Sequence, residues 1–119
     1  MTYEPQLSSY KLTMDKEISA IDAHNLRKQN ADVVFLDVRE DSELTICKIE
    51  DALHIPMGKI LEQSKTLPKD RPIIVFCHHG MRSMNVVRYL EAQGFDKVAS
   101  MQGGIHAWAN DVEPEMNRY

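Results

Sequence analysis

The chain has 119 residues, 43% of them hydrophobic, which suffices for one domain around one core and excludes a disordered chain. Its formal net charge is −4, with eighteen acidic and fourteen basic side chains scattered along it, which speaks against a nucleic-acid partner. The longest apolar run is far too short to span a bilayer, so no membrane association is expected.

The start of the chain, Met1 to Tyr10 with Glu4 and Pro5, lacks the basic-then-apolar order of a signal peptide. Two cysteines do not make a disulfide framework, and a reducing cytoplasm is the expected location. Residues 1–15 read as a polar extension and residues 16–119 as the domain. There is no internal repeat or low-complexity tract.

In chain order, Ser19 with Asp22 three residues on predicts an N-cap for a helix running to about Gln29. Val33-Val34-Phe35-Leu36 is a continuous apolar run, as expected of a strand buried on both faces. Residues 40–46 read as a short helix, 53–55 as a brief strand closed by Pro56, and 59–63 as another short helix. A turn at Pro68-Lys69-Asp70 precedes a strand at Ile73-Ile74-Val75-Phe76. Met84, Val86, Val87 and Leu90 form an apolar stripe on the helix that follows Arg82, and Gly94 ends it. Residues 98–101 read as a last strand, and Gly103-Gly104 turns into a helix over 105–110. Alternating β and α elements imply a parallel sheet with helices on both faces. Sites in such sheets gather at the carboxyl ends of strands, where Asp37 and Cys77 are expected.

The segment Phe76-Cys77-His78-His79-Gly80-Met81-Arg82-Ser83 carries the chemistry. A thiol at the start of a strand–loop–helix turn can receive several backbone N–H groups, and the helix N-terminus favours negative charge there. Gly80 lets the backbone curl inward, and Arg82 supplies planar donors suited to an oxyanion. The alternative for Cys77 is a buried apolar cysteine at a strand end. His78 and His79 read equally as solvent-facing polar side chains or as groups that orient a substrate. A metal site built from Cys77, His78 and His79 is not expected, since adjacent residues rarely converge on one tetrahedral ion and no other ligand cluster stands out.

This loop resembles the active-site loop of the rhodanese family, sulfurtransferases that carry sulfane sulfur on a cysteine. Asp37-Val38-Arg39-Glu40, Ala52-Leu53-His54-Ile55-Pro56, Gly94-Phe95 with Val98, and Gly103-Gly104-Ile105-His106-Ala107-Trp108 are similar to further motifs of the family, in the same order. The resemblance implies a single α/β domain with a central parallel sheet of about five strands and helices on both faces. It implies a catalytic Cys77 that becomes a persulfide, an active-site loop of His78, His79, Gly80, Met81, Arg82 and Ser83, and no organic cofactor or metal. A small-molecule sulfur donor such as thiosulfate or a persulfide is the implied substrate. The stretch from Ile105 to Pro114, together with the ending at Tyr119, is similar to rhodanese domains fused behind adenylating enzymes that activate sulfur carriers, which suggests a protein as sulfur acceptor.

The same resemblance implies that Asp37 and Arg39 support the loop; the alternative is a strand-end ion pair or cap. Where the family more often shows Gly-His, this chain has Cys47-Lys48, and Leu44 replaces an aromatic. Cys47 reads as a packed small residue, with a resolving thiol for Cys77 as the minor alternative. Phosphatases with a cysteine nucleophile on the related fold use Cys-x5-Arg; the Cys-x4-Arg spacing here makes a phosphatase or arsenate reductase the weaker reading. A non-catalytic binding module of the same fold is the other competing class.

Overall fold

The computed structural model of the chain describes residues 5–10 and 16–119. Five strands, β1 (Glu17–Ile18), β2 (Val34–Asp37), β3 (Leu53–His54), β4 (Ile73–Phe76) and β5 (Val98–Met101), form one sheet in the order β1-β5-β4-β2-β3. Every neighbouring pair is parallel. The helices are α1 (Ala20–Gln29), α2 (Asp41–Leu44), α3 (Ile60–Gln63), α4 (Met81–Ala92) and α5 (Gly104–Asp111).

Alternation along the strands divides the core in two. Phe35, Ile74, Phe76, Ala99 and Met101 pack with Ala23 and Leu26 of α1 and with Ile105 and Trp108 of α5. Leu36, Ile73, Val75 and Val98 pack on the other face with Val86, Val87 and Leu90 of α4. Both faces of the central strands are therefore covered, which is why their sequences read as unbroken apolar runs. Cys77 lies in the α4-side cluster.

Local signals act as expected in most places. Asp22 N–H donates to Ser19 Oγ at 3.1 Å and starts α1. Gly94, at φ +93°, lies just beyond the end of α4.

Three differences have physical causes. β2 begins and ends one residue later than expected, because Val34 N–H bonds Pro72 O at 2.8 Å and Asp37 pairs in register with Phe76. α2 stops at Leu44, short of residue 46; the Arg39 guanidinium reaches the carbonyls of Glu43 and Cys47, at 3.4 and 2.9 Å. β1 has only two residues, too few for a periodic signal, yet it completes the sheet by pairing with β5.

Residues 5–10 lie against the domain. Leu7 is buried in the α1–α5 core, and Asn30 Nδ2 donates to Pro5 O at 2.9 Å. The rest of the expected extension, residues 1–4 and 11–15, lies outside the described residues. No helix among the described residues is long and apolar enough to cross a membrane.

Candidate active site

β4 ends at Phe76 and α4 begins at Met81, so Cys77 to Gly80 form the connection at the carboxyl edge of the sheet. The Cys77 side is almost closed, with 1% of the residue exposed. Gly80 N–H points at Sγ from 3.0 Å and Ser83 N–H from 3.4 Å. Gly80 has φ +113°, a conformation disfavoured for residues with a Cβ, and this turn brings its N–H back over the sulfur. The Ser83 hydroxyl lies 3.6 Å from Sγ, donates to Gly80 O at 3.1 Å, and meets Ser100 Oγ of β5 at 2.7 Å. A buried hydroxyl pair therefore ties the first turn of α4 to β5 directly beneath the sulfur.

The loop is held from its other side by α5. Ile105 N–H donates to Cys77 O at 2.8 Å, and His106 N–H donates to His78 O at 3.1 Å. This approach leaves no room at Gly104, where a Cβ would lie 2.5 Å from both carbonyl oxygens. The Gly-Gly turn before α5 thus belongs to the site's construction.

Arg82 is already engaged. Its Nη1 and Nη2 donate to Glu43 Oε1 and Oε2 at 2.6 and 2.9 Å, a fork-to-fork pair. The bond to Arg82 is the main reason the Glu43 carboxyl is held down to about 2, with Tyr119 and the Glu40 N–H helping against burial. The same bond holds the Arg82 guanidinium charged, above its ordinary range. Arg82, expected from the sequence to offer planar donors to an oxyanion, has both terminal nitrogens on Glu43 and so links the start of α4 to α2.

Asp37 and Arg39 form a second, deeper pair. Arg39 Nε lies 3.0 and 3.2 Å from the two Asp37 oxygens, and Nη2 lies 2.8 Å from Oδ2. Arg39 is fully buried. Burial disfavours its charge, but the bonds to Asp37 and Tyr119 outweigh that and keep it firmly protonated. Nη1 also donates to the Tyr119 hydroxyl at 3.1 Å, and that hydroxyl donates to Glu43 Oε2 at 2.6 Å. Burial foremost lifts the Tyr119 phenol to about 12, so it stays a donor at any ordinary pH. A continuous chain of bonds thus runs from Asp37 to Arg39, from Arg39 to Tyr119 and the Glu43 carbonyl, and from Glu43 to Arg82.

His78 is half-buried, while His79 is exposed. The His78 ring lies flat on Tyr119, with centroids 3.8 Å apart and planes 9° apart. Burial, then the neighbouring His79, pulls the His78 pKa below its ordinary value, so it is neutral at pH 7. Met81 is 82% exposed at the loop's rim. Cys47 packs with the α1–α5 core and lies 3.8 Å from Arg39 Nη1, whereas Cys77 belongs to the α4 side; both thiols are free.

Sequence reasoning missed Glu43, Tyr119, Ser100 and His106. Glu43 is one acidic residue among several near a short helix, and nothing local marks Arg82 as its partner. Tyr119 is the last residue of the sequence and belongs to no periodic element. His106 was read within a family motif, yet the fold places it beside the loop histidines, with ring centroids 5.0 Å from His79 and 6.3 Å from His78.

The sequence model of the rhodanese-like domain matches residues 19–111. A putative sulfurtransferase, YtwF of Bacillus subtilis, is 41% identical over 100 residues, which cover 84% of this chain and 96% of the relative. The thiosulfate sulfurtransferase GlpE of Coxiella burnetii is 39% identical over 95 residues, covering 80% of this chain and 88% of the relative. The crystal structure of a rhodanese-related protein from Thermoplasma volcanium superposes with a TM-score of 0.76 at 32% identity, covering 83% of this chain and 95% of that one. The chain belongs to the rhodanese-like domain family, and it is a sulfurtransferase.

Proposed function

We propose that this chain moves sulfane sulfur from thiosulfate or a small persulfide to a thiophilic acceptor, through a persulfide on Cys77. The observation that carries the reading is the buried Cys77 sulfur with the Gly80 and Ser83 N–H groups aimed at it. Donors fixed in a dry pocket favour negative charge at the sulfur without having to reorganise.

In the first step the Cys77 thiolate attacks the outer sulfur of the donor. A new S–S bond forms, the donor's own sulfur bond breaks, and its electron pair leaves on sulfite or on a thiolate. In the second step an acceptor thiolate or cyanide attacks the terminal sulfur, and the pair of the S–S bond returns to Cys77. The first N–H groups of α4 have no acceptor within the helix, so they are available to an anion at the loop. Arg82 keeps those groups in place through Glu43. His79 and Met81 stand at the exposed rim, where an acceptor approaches, and a protein acceptor suits that open approach. Two steps through one residue give ping-pong kinetics. The free state of both thiols suits a reducing compartment.

Mass spectrometry of thiosulfate-treated protein tests the reading. A gain of about 32 Da, one sulfur atom, mapped to Cys77 and discharged by cyanide, is the expected result. Cys77→Ser should lose both the adduct and the turnover while keeping the fold, because a hydroxyl is not ionised near neutral pH. Wild-type turnover in Cys77→Ser would overturn the assignment.

A further inference from the structure

No bond is made or broken at the three histidines near the loop in the sulfur-transfer steps above. His78 and His79 come from the loop and His106 from the first turns of α5. One ring nitrogen from each lies within 4.8 Å of the others. Adjacent residues rarely converge on one ion, and for that reason the sequence does not predict a metal site here; the fold nevertheless brings a ring nitrogen of adjacent His78 and His79 together and adds His106 from another element.

We propose that His78, His79 and His106 form a binding site for one borderline divalent transition ion of the Zn²⁺ class. Imidazole nitrogen is the ligand type that suits zinc, copper and nickel. In a tetrahedral site with bonds of about 2.0–2.1 Å, ligand nitrogens stand about 3.3–3.4 Å apart. The three nitrogens, now within 4.8 Å of one another, need to close by about 1.4 Å at most to meet that spacing. His79 and His106 are exposed, and the His79 ring already lies 3.9 Å from that of His78 and 5.0 Å from that of His106.

The frame beneath them is fixed. His106 N–H is bonded to His78 O at 3.1 Å, so the two elements that supply the ligands are joined at the ligands themselves. Tyr119 holds the His78 ring flat against its own. The stack limits the orientations open to the His78 ring. The cation nearest in sequence, Arg82, is neutralised by Glu43 and does not oppose a bound ion. Three imidazoles also leave the fourth tetrahedral position open to water or a small soft anion. Cys77 is not among the ligands, so the site stands whether or not the persulfide reading does.

The test is Zn²⁺ titration of the metal-free full chain against a chromophoric chelator, with Co²⁺ as a spectroscopic probe. One ion per chain is expected in the wild type and in the Cys47→Ser/Cys77→Ser double variant. The cobalt form should show tetrahedral visible bands and no thiolate charge-transfer band. His106→Ala should weaken Zn²⁺ at least tenfold. His79→Ala should do the same, and it keeps the test decisive should the first variant fail to fold. Absence of stoichiometric binding to the wild type would overturn the site. So would binding lost with the cysteines and unchanged in His106→Ala and His79→Ala.

Discussion

The pairing of Arg82 with Glu43 makes a quantitative claim about what Arg82 does. If its charge served the donor directly, Arg82→Ala would harm a dianion such as thiosulfate far more than a neutral persulfide donor. The structure instead has both terminal nitrogens committed to one carboxylate. The carboxyl is held at about 2 against an ordinary 4.5. At about 1.4 kcal/mol per pH unit that corresponds to about 3 kcal/mol before solvent is considered. A third of the Arg82 side chain and 15% of that of Glu43 are open to water. Tyr119 and the Glu40 N–H account for part of the lowering, and screening reduces the rest, so the pair itself contributes about 1–2 kcal/mol, on the order of tenfold in an equilibrium constant. The assay is a double-mutant cycle of Arg82→Ala and Glu43→Gln, read in urea unfolding and in kcat/KM for a charged and a neutral donor. Each single variant should lose about the same factor with both donors, and the double variant should lose little more. The sign with pH follows from the lowered carboxyl. The contribution is fully present above about pH 4.5 and is lost as pH falls towards 2, so wild type and Glu43→Gln should converge in stability over that interval. The reasoning is refuted if Arg82→Ala harms thiosulfate selectively while Glu43→Gln improves it, since Glu43 would then be restraining a donor-binding cation.

Three further outcomes follow from single contacts. Gly104→Ala should strain a φ of +61° and push on the Cys77 and His78 carbonyls, costing about 3 kcal/mol with loss of the two junction bonds; a melting temperature within 2–3 °C of wild type, where ~10 °C is expected, would contradict this. Tyr119→Phe keeps the stacked ring but loses the bonds to Glu43 and Arg39, and should cost about 1 kcal/mol in urea unfolding, with no loss counting against the bridge. Cys47→Ser should retain most sulfur transfer, because a hydroxyl can still accept from Arg39; loss of turnover with an intact fold would make Cys47 a participant.

What the sequence disclosed and what it concealed divide along contact range. The strand Ile73–Phe76, the Ser19 cap and the Gly94 stop are set by neighbours a few residues apart, and the chain pattern contains all that is needed to read them. The Cys77 loop was legible for the same reason: strand end, glycine, arginine and helix start are contiguous. The partners of that loop are not. Glu43 reaches Arg82 across 39 positions, and Tyr119 reaches Glu43 across 76. Such pairs arise only once the parallel sheet has brought the loops after β2 and β4 to one edge. The two-residue β1 was hidden for a related reason, since its partner strand, and no periodicity of its own, defines it.

Loop length and burial together support the proposed use of this edge for sulfur in preference to phosphate. A phosphoryl group in transfer spreads its charge over three equatorial oxygens, each needing donors around it. Here the Gly80 and Ser83 N–H groups converge on Sγ itself, and the Ser83 and Ser100 hydroxyls pair beside it. With Cys77 as the proposed nucleophile, its 1% exposure would hinder a bulky acceptor that had to reach Sγ. A persulfide removes that conflict, because its S–S bond places the reactive atom about 2 Å beyond Sγ. On the proposed mechanism the burial of the thiol is compatible with delivery, since the acceptor would meet the outer sulfur and not the cysteine.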